Sequence, residues 1–181
     1  GVYMALINIK NKTALVTGAS RGIGRAISIA LAAEGAALAL TARSGAALAA
    51  TVSECTRFGV HAEAFEAEFL DTRTPERLME NVIARFGKLD FLINNAGTAE
   101  NVSFEETSGE QWDRIMDLNA KAPFFLCQAA LPYLKKSDTP VIINISSVVG
   151  RQGYQNQAAY SASKHALMGF TKALAREIHK D

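Results

Sequence analysis

The sequence predicts an α/β fold, with helices covering both faces of a doubly wound parallel sheet. Three observations point there. Short apolar runs suited to buried strands alternate with longer amphipathic segments along the 181-residue chain. Glycine-rich or polar turns follow directly after several of the short runs. No internal repeat, low-complexity tract or linker interrupts the alternation, so residues 1–181 are expected to form one domain.

Taken in order, Thr13-Ala14-Leu15-Val16-Thr17 reads as a first buried strand. Residues 23–34 carry Ala, Ile and Leu at helical spacing, and Gly35 follows as a C-terminal stop. Residues 37–41 make a second strand, residues 45–58 a helix and residues 61–66 a third strand. Thr74-Pro75-Glu76 starts a helix that runs to Phe86. Proline is tolerated in a first turn, and Glu76 lies at the positive end of the helix dipole. Phe91-Leu92-Ile93-Asn94 is the fourth strand, residues 109–136 one long helix, and Val141 to Ile145 the fifth strand. The last helix starts at Ala158 and continues to the C-terminus. Right-handed crossovers place these strands in one sheet, with ligands expected at the strands' carboxyl ends. The turn after the first strand, the Asn94-Asn95-Ala96-Gly97 run and Ser146-Ser147 then line one edge.

Composition narrows the function classes. With 19 basic against 18 acidic side chains and Lys135-Lys136 and Arg21 too scattered to form a patch, no nucleic-acid or anionic-membrane surface is expected. Cys55 and Cys127 lack CxxC or zinc-like spacing and read as small core or surface thiols of a reducing cytosol. No apolar run reaches the roughly 18 residues of a membrane span, and the N-terminus has no signal-peptide pattern, so a cytoplasmic protein is expected. Gly1-Val2-Tyr3 ahead of Met4 reads as an appended remnant. His61, His165 and His179 show no metal-ligand spacing, and no metal is expected.

The turn after the first strand is Thr17-Gly18-Ala19-Ser20-Arg21-Gly22-Ile23-Gly24, a GxxxGxG spacing rather than GxGxxG. Glycines let the backbone turn sharply and approach a pyrophosphate. The helix that follows offers unpaired N–H groups and a positive dipole. Such a loop alone can be a mere turn; between a strand and an Ala-rich helix it points to a dinucleotide. The candidate contacts are Gly18, Ser20, Arg21, Gly22, Ile23 and Gly24. An NAD site wants an acid near the end of the second strand for the ribose hydroxyls. Here Leu40-Thr41-Ala42-Arg43 carries none. Arg43 and Arg21 suit a 2′-phosphate through bidentate pairing, or else are solvated surface arginines. NADP(H) is the expected cofactor, with NAD as the alternative.

Tyr160 and Lys164 stand four apart near the start of the last helix and so share a face. Ser147 ends the fifth strand at the expected ligand edge. A phenol titrating near ~10 must come down by roughly 2–3 units to act as a base at neutral pH. A nearby ammonium and a cationic nicotinamide can supply that, and a serine hydroxyl can donate to a developing alkoxide. Pro123 lies four residues after Asn119 and has no N–H, so in a regular helix the Asn119 carbonyl loses its donor. That carbonyl either holds an ordered water or marks a kink facing solvent.

Thr17-Gly18-xxx-Gly22-x-Gly24, Asn94-Asn95-Ala96-Gly97, Asn119, Ser147 and Tyr160-xxx-Lys164, in this order and with compatible gaps, resemble the motif set of the short-chain dehydrogenase/reductase family. The likeness runs from Lys10 to the C-terminus. It implies a Rossmann-type fold and hydride transfer between a nicotinamide and a carbonyl or secondary alcohol. In this resemblance Tyr160 is the general acid/base. Lys164 holds the nicotinamide ribose and lowers the Tyr160 pKa, Ser147 bonds the substrate oxygen, and Asn119 helps hold a proton-relay water. Asn95, Ala96 and Gly97 touch the cofactor. Counting back from Arg85-Phe86-Gly87 places Glu68, followed by Phe69, where the family has its adenine-side pair. Asp71 is the alternative after a small gap, or a cap of the next helix.

The style around Ser147–Gly150 and Tyr160–Leu174 is similar to β-ketoacyl-carrier-protein reductases, which suggests a 3-oxoacyl thioester without naming a substrate. The rival reading is a non-catalytic NAD(P)-binding sensor or assembly subunit, which would need the glycine turn but not Ser147, Tyr160 and Lys164. Gln152, Tyr154 and Gln157 border the pocket with no assigned role. The resemblance further implies a homodimer or homotetramer packed through the two long helices. The first carries Ile115, Leu118, Phe124, Phe125 and Leu126, the second Leu167, Phe170 and Leu174. Members of the family continue past the equivalent of Asp181 with further strands and a substrate-covering segment. The sequence is therefore expected to be the greater part of a longer protein. Alone, it would leave a sheet neighbour of the first strand unprotected and apolar surface exposed.

Overall fold

Five parallel strands stand in the order β3-β2-β1-β4-β5, with helices between them. This computed structural model describes residues 8–69, 71 and 73–178; the suspected remnant at residues 1–3 and His179 lie outside them. β1 (Thr13–Thr17) is buried at every position and pairs on both sides, with β2 (Ala37–Ala42) and with β4 (Phe91–Asn94). β3 (Ala62–Glu66) and β5 (Val141–Asn144) form the outer strands. The chain winds outward from β1 to β3, then returns to start β4 on the other side of β1. The crevice at such a reversal, beyond the carboxyl ends of β1 and β4, is where open α/β sheets bind ligands.

The helices follow the expected order. α1 (Gly22–Ala33), α2 (Gly45–Thr56) and α3 (Thr74–Phe86) link the first four strands. Gly87 closes α3 at φ 74°, a left-handed position that glycine reaches without strain. Ala14, Val16, Leu38, Leu40, Leu48 and Ile93 lie in the apolar layer on one face of the sheet, and Leu15, Leu78, Met79, Leu92, Leu126 and Leu134 in the layer on the other. Alternate β1 residues enter opposite layers because successive strand side chains face opposite ways.

Two expectations need correction. The helix predicted over residues 109–136 is a rod of three parts. α4 (Gly109–Met116) begins with a capping box: Gln111 N donates to Ser108 Oγ at 3.2 Å and Ser108 N to Gln111 Oε1 at 3.0 Å. A π-helical turn (Asp117–Lys121) follows, in which Ala122 N donates to Asp117 O, and then α5 (Ala122–Leu134). Pro123 cannot donate to the Asn119 carbonyl, and the widened turn just ahead of it absorbs the missing bond. The unprotected strand is also elsewhere than expected. β1's neighbours are both interior, and the lightly covered edge belongs to β5, where Ile143 is 47% exposed.

After β5 come a 3₁₀ turn (Val148–Gly150) and α6 (Ala158–Ile178). Of the apolar positions expected to face a partner, Ile115, Leu126 and Leu167 are buried within this chain, whereas Phe124 stays exposed. No helix among the described residues is long and apolar enough to cross a membrane.

Candidate dinucleotide and catalytic site

The ends of β1 and β4 are laced together by one threonine and one asparagine. Asn95 N and Ala96 N donate to Thr17 Oγ1 at 3.0 and 2.9 Å. Asn95 Nδ2 donates back to Thr17 O at 3.0 Å and Gly18 O at 3.2 Å. From α2, buried Thr51 donates to Ala19 O at 3.0 Å, and Ala19 N donates to Thr41 O at 3.1 Å. The turn is thus held from three elements before any ligand meets it.

Two of its glycines are required for different reasons. A Cβ on Gly24 would lie 2.3 Å from Gly18 O and 2.4 Å from Asn95 Nδ2, so close packing of α1 on the turn excludes a side chain. Gly22 has φ 56° but no atom within 4 Å of its would-be Cβ, so conformation alone demands glycine there. The α1 N-cap, Arg21, makes no side-chain cap bond, and the first turn holds no acid. Among the described residues its leading amides and dipole therefore meet no side-chain anion from the cap or first turn, which fits the pyrophosphate of a dinucleotide. Ser20 is half-buried, and Ile23 is exposed. Arg21 and Arg43 are exposed, and neither side chain has a hydrogen-bond or ion-pair partner among the described residues.

Across the crevice, Lys164 is only 5% exposed; its Nζ donates to Ile145 O at 2.9 Å and lies 5.9 Å from the centre of the Tyr160 ring. Burial holds its ammonium below the ordinary lysine range. Asn119 is buried at the π turn. Its Oδ1 accepts from Thr98 N at 2.8 Å, and its Nδ2 donates to Thr98 O at 2.8 Å and Ser163 Oγ at 3.0 Å. Ser163 in turn donates to Tyr160 O at 2.8 Å. A Cβ on Gly97 would sit 3.0 Å from Asn119 Oδ1 and 3.6 Å from Lys164 Nζ, so Gly97, Asn119 and Lys164 meet at one point.

Ser147 caps the 3₁₀ turn, its Oγ accepting from Val149 N at 3.4 Å, and Ser161 Oγ ties that turn to α6 through Val149 O at 2.7 Å. A Cβ on Gly150 would meet Ser146 Oγ at 2.7 Å and Lys164 O at 3.1 Å, so the turn lies flush on the helix bearing Tyr160 and Lys164. Ser146 Oγ is itself buried without a partner among the described residues.

On the adenine side the structure separates the candidates. Glu68 is exposed, while the Phe69 side chain is buried in the core layer with Leu78 and Met79. Asp71 accepts from Arg73 N at 3.0 Å and pairs with Arg77 at 3.0 Å, but it does not cap α3, whose N-cap is Arg73 and carries no side-chain cap bond. Asn94 turns away from the crevice, donating to Asn144 Oδ1 at 2.8 Å and Cys127 Sγ at 3.4 Å. Burial pushes the Cys127 thiol up to about 11. His61 stacks on Phe86 with ring centres 4.5 Å apart, and His165 bonds to Ser161 O at 2.9 Å. Gln152 donates to Tyr154 Oη at 2.6 Å, and Gln157 to Asn101 Oδ1 at 2.7 Å. Sequence reasoning missed Thr51 and Ser163. Ser163 lies three residues after Tyr160, a spacing that could have drawn attention. Thr51 carried no signal in the chain.

The family model described as short chain dehydrogenase matches residues 12–181. The chain belongs to that family. It is 41% identical over 172 residues to short-chain dehydrogenase/reductase FrzI of a Cladobotryum species, covering 94% of this chain and 66% of the relative. It is 40% identical over 168 residues to 3-oxoacyl-[acyl-carrier-protein] reductase FabG of Staphylococcus aureus, covering 92% and 68% respectively. A crystal structure of a metagenomic short-chain oxidoreductase in complex with NADP superposes with a TM-score of 0.91 at 34% identity, covering 96% of this chain and 79% of that one. This dehydrogenase-family chain spans about two thirds of the length of the two curated relatives.

Proposed function

We propose that this short-chain dehydrogenase is an NADP(H)-dependent oxidoreductase acting on a carbonyl or secondary alcohol, with a 3-oxoacyl thioester as the favoured substrate class. The observation that carries the reading is the convergence of buried Lys164 with Asn119 and Gly97, and with the Tyr160 ring, beside a glycine turn whose helix has no side-chain cap bond and no acid in its first turn. The FabG relatives support the thioester, and the NADP-bound neighbour together with Arg21 and Arg43 supports the phosphorylated cofactor.

A bound nicotinamide dinucleotide supplies the hydride acceptor or donor. In this proposal its phosphates lie on Gly18, Ser20, Arg21, Gly22, Ile23 and Gly24. Asn95, Ala96 and Gly97 line the crevice floor, Arg43 takes the 2′-phosphate, and Glu68 with the Phe69 backbone borders the adenine. Tyr160 exchanges a proton with the substrate oxygen. Lys164, whose Nζ lies 5.9 Å from the centre of the Tyr160 ring, holds the nicotinamide ribose beside the phenol. Ser147 donates to the substrate oxygen as it gains negative charge. Asn119, anchored to Thr98 and Ser163, fixes the distance between the loop after Gly97 and α6. Among the described residues no group of three His, Cys, Asp or Glu side chains could hold a metal ion, and no metal is proposed. The protein is proposed to work in the cytoplasm as a homodimer or homotetramer, with the exposed Phe124 and Trp112 rings of α5 and α4 at the subunit contact.

The test uses the full-length protein and its Tyr160→Phe variant, following NADPH oxidation at 340 nm with ketones and 3-oxoacyl thioesters. Turnover by the wild type and a fall of about 10²–10⁴-fold in the variant, with NADPH affinity retained, is the expected result for a lost general acid. Tight NADPH binding with no turnover by the wild type on any substrate would point instead to a binding subunit.

A further inference from the structure

We infer that Glu66, at the end of β3, sets how strongly this site favours a 2′-phosphorylated over an unphosphorylated dinucleotide, granted the dinucleotide reading of the glycine turn on which this rests. The second strand ends without an acid, but the fold supplies one from the strand beside it. Ala42 and Glu66 are register partners in the β2–β3 pair, and Ala67 N donates to Ala42 O at 3.0 Å. Glu66 therefore ends β3 beside Ala42, one residue before Arg43 in the chain.

Its position is defined by a bond. Gly45 N, the first amide of α2, donates to Glu66 Oε1 at 2.5 Å. A Cβ on Gly45 would lie 3.2 Å from Oε1 and 3.3 Å from Glu66 Cγ, so the side chain lies directly over the helix start. Among the described residues no other side chain serves as the anion there: Ser44 makes no side-chain cap bond, and the first turn of α2 holds no acid. Glu66 has no ion-pair partner among the described residues, and neither has Arg43.

A carboxylate in this place acts in opposite senses on the two cofactors. A ribose 2′-hydroxyl is a donor that a carboxylate accepts, the role an acid at the end of the second strand plays in NAD sites. A 2′-phosphate drawn to Arg43 brings a second anion against Glu66 and competes for the same α2 amide and dipole. Arg43 thus favours the phosphate and Glu66 opposes it. The pair leaves the protein able to use both dinucleotides instead of excluding one.

The test measures dissociation constants of NADPH and NADH, by nicotinamide fluorescence, on the full-length wild type, Glu66→Gln and Glu66→Ala. Glutamine keeps an acceptor for the Gly45 amide, so the fold at α2 is preserved, and matching circular dichroism and melting curves check this. The expected result is NADPH binding tighter by about tenfold in Glu66→Gln, the scale of removing one like charge a few ångströms away in a partly solvated setting. NADH affinity stays level or weakens, and Glu66→Ala moves the ratio in the same direction. Binding of both cofactors by the variants with the wild-type ratio would overturn the role of Glu66 while leaving the dinucleotide site standing. Failure of the wild type to bind either cofactor would instead remove the reading beneath it, and this inference with it.

Discussion

Gly24→Ala places a methyl group where the structure has no room for one. The new Cβ would stand 2.3 Å from Gly18 O and 2.4 Å from Asn95 Nδ2, about 1 Å inside ordinary contact with each. Neither neighbour can yield alone. Gly18 O is backbone, and Asn95 is anchored to it and to Thr17 O by its own amide. Relief therefore requires α1 to lift from the β1–β4 edge. Overpacking and the weakened Asn95 bonds together cost about 2–4 kcal/mol. Alanine's better helix propensity returns about 1 kcal/mol, leaving a net loss of about 1–3 kcal/mol. In urea titrations followed by circular dichroism this lowers the midpoint by roughly 0.5–1.5 M. NADPH affinity falls as well, because the displaced amides are those assigned to the pyrophosphate. Two controls separate crowding from backbone strain. Gly22→Ala, with open space around its Cβ and φ 56°, should cost only about 1–2 kcal/mol of left-handed strain. Gly59→Ala, with φ 78° just beyond α2, should cost a similar amount and leave NADPH binding untouched. A Gly24→Ala protein with the wild-type midpoint and wild-type affinity would refute the reasoning.

Asp90 is buried, accepts from Thr13 N at 2.8 Å and lies 3.2 Å from Lys88 Nζ. Burial pushes its carboxyl up, but the Ser137 hydroxyl, the Thr13 amide and Lys88 outweigh this and hold it below the usual range. Because the folded-state value is depressed, this stabilisation is present above about pH 4 and is lost as pH falls through the folded value. Asp90→Asn should thus cost about 1–3 kcal/mol at pH 7, with the gap to wild type closing on acidification; melting curves at pH 7 and pH 3 with an unchanged gap would contradict it. The Cys127 thiol, pushed up to about 11 by burial, should resist alkylation in the native protein at pH 8 and react promptly once the chain is unfolded in urea. Mass spectrometry after iodoacetamide treatment reads this directly, and rapid native labelling of Cys127 would show the site to be open.

Much of this protein was legible along the chain. The five strands and the helix starts follow from apolar periodicity and from Gly and Pro punctuation, which act over a few residues and need no knowledge of the rest of the fold. The glycine turn and the Tyr160, Lys164 pair belong to the same class, since each lies within one or two turns of backbone. Pro123 was visible too, but its outcome was not. Whether a missing donor is met by a kink or by a widened π turn depends on what holds the helix on either side. Here Asn119 is clamped to Thr98, 21 residues away, and to Ser163, 44 away.

Only the tertiary structure decided which residues meet. It placed β1 at the centre, left β5 as the lightly covered edge, sent Phe69 into the core and paired Asp71 with Arg77. It also brought an acid from β3 to the helix start after β2, where the local sequence holds only Arg43 and Ser44. Short-range preferences depend on neighbouring residues and can be read in order. A contact between distant residues exists only because many weakly favourable burials, summed over the whole sheet, select one strand order and register.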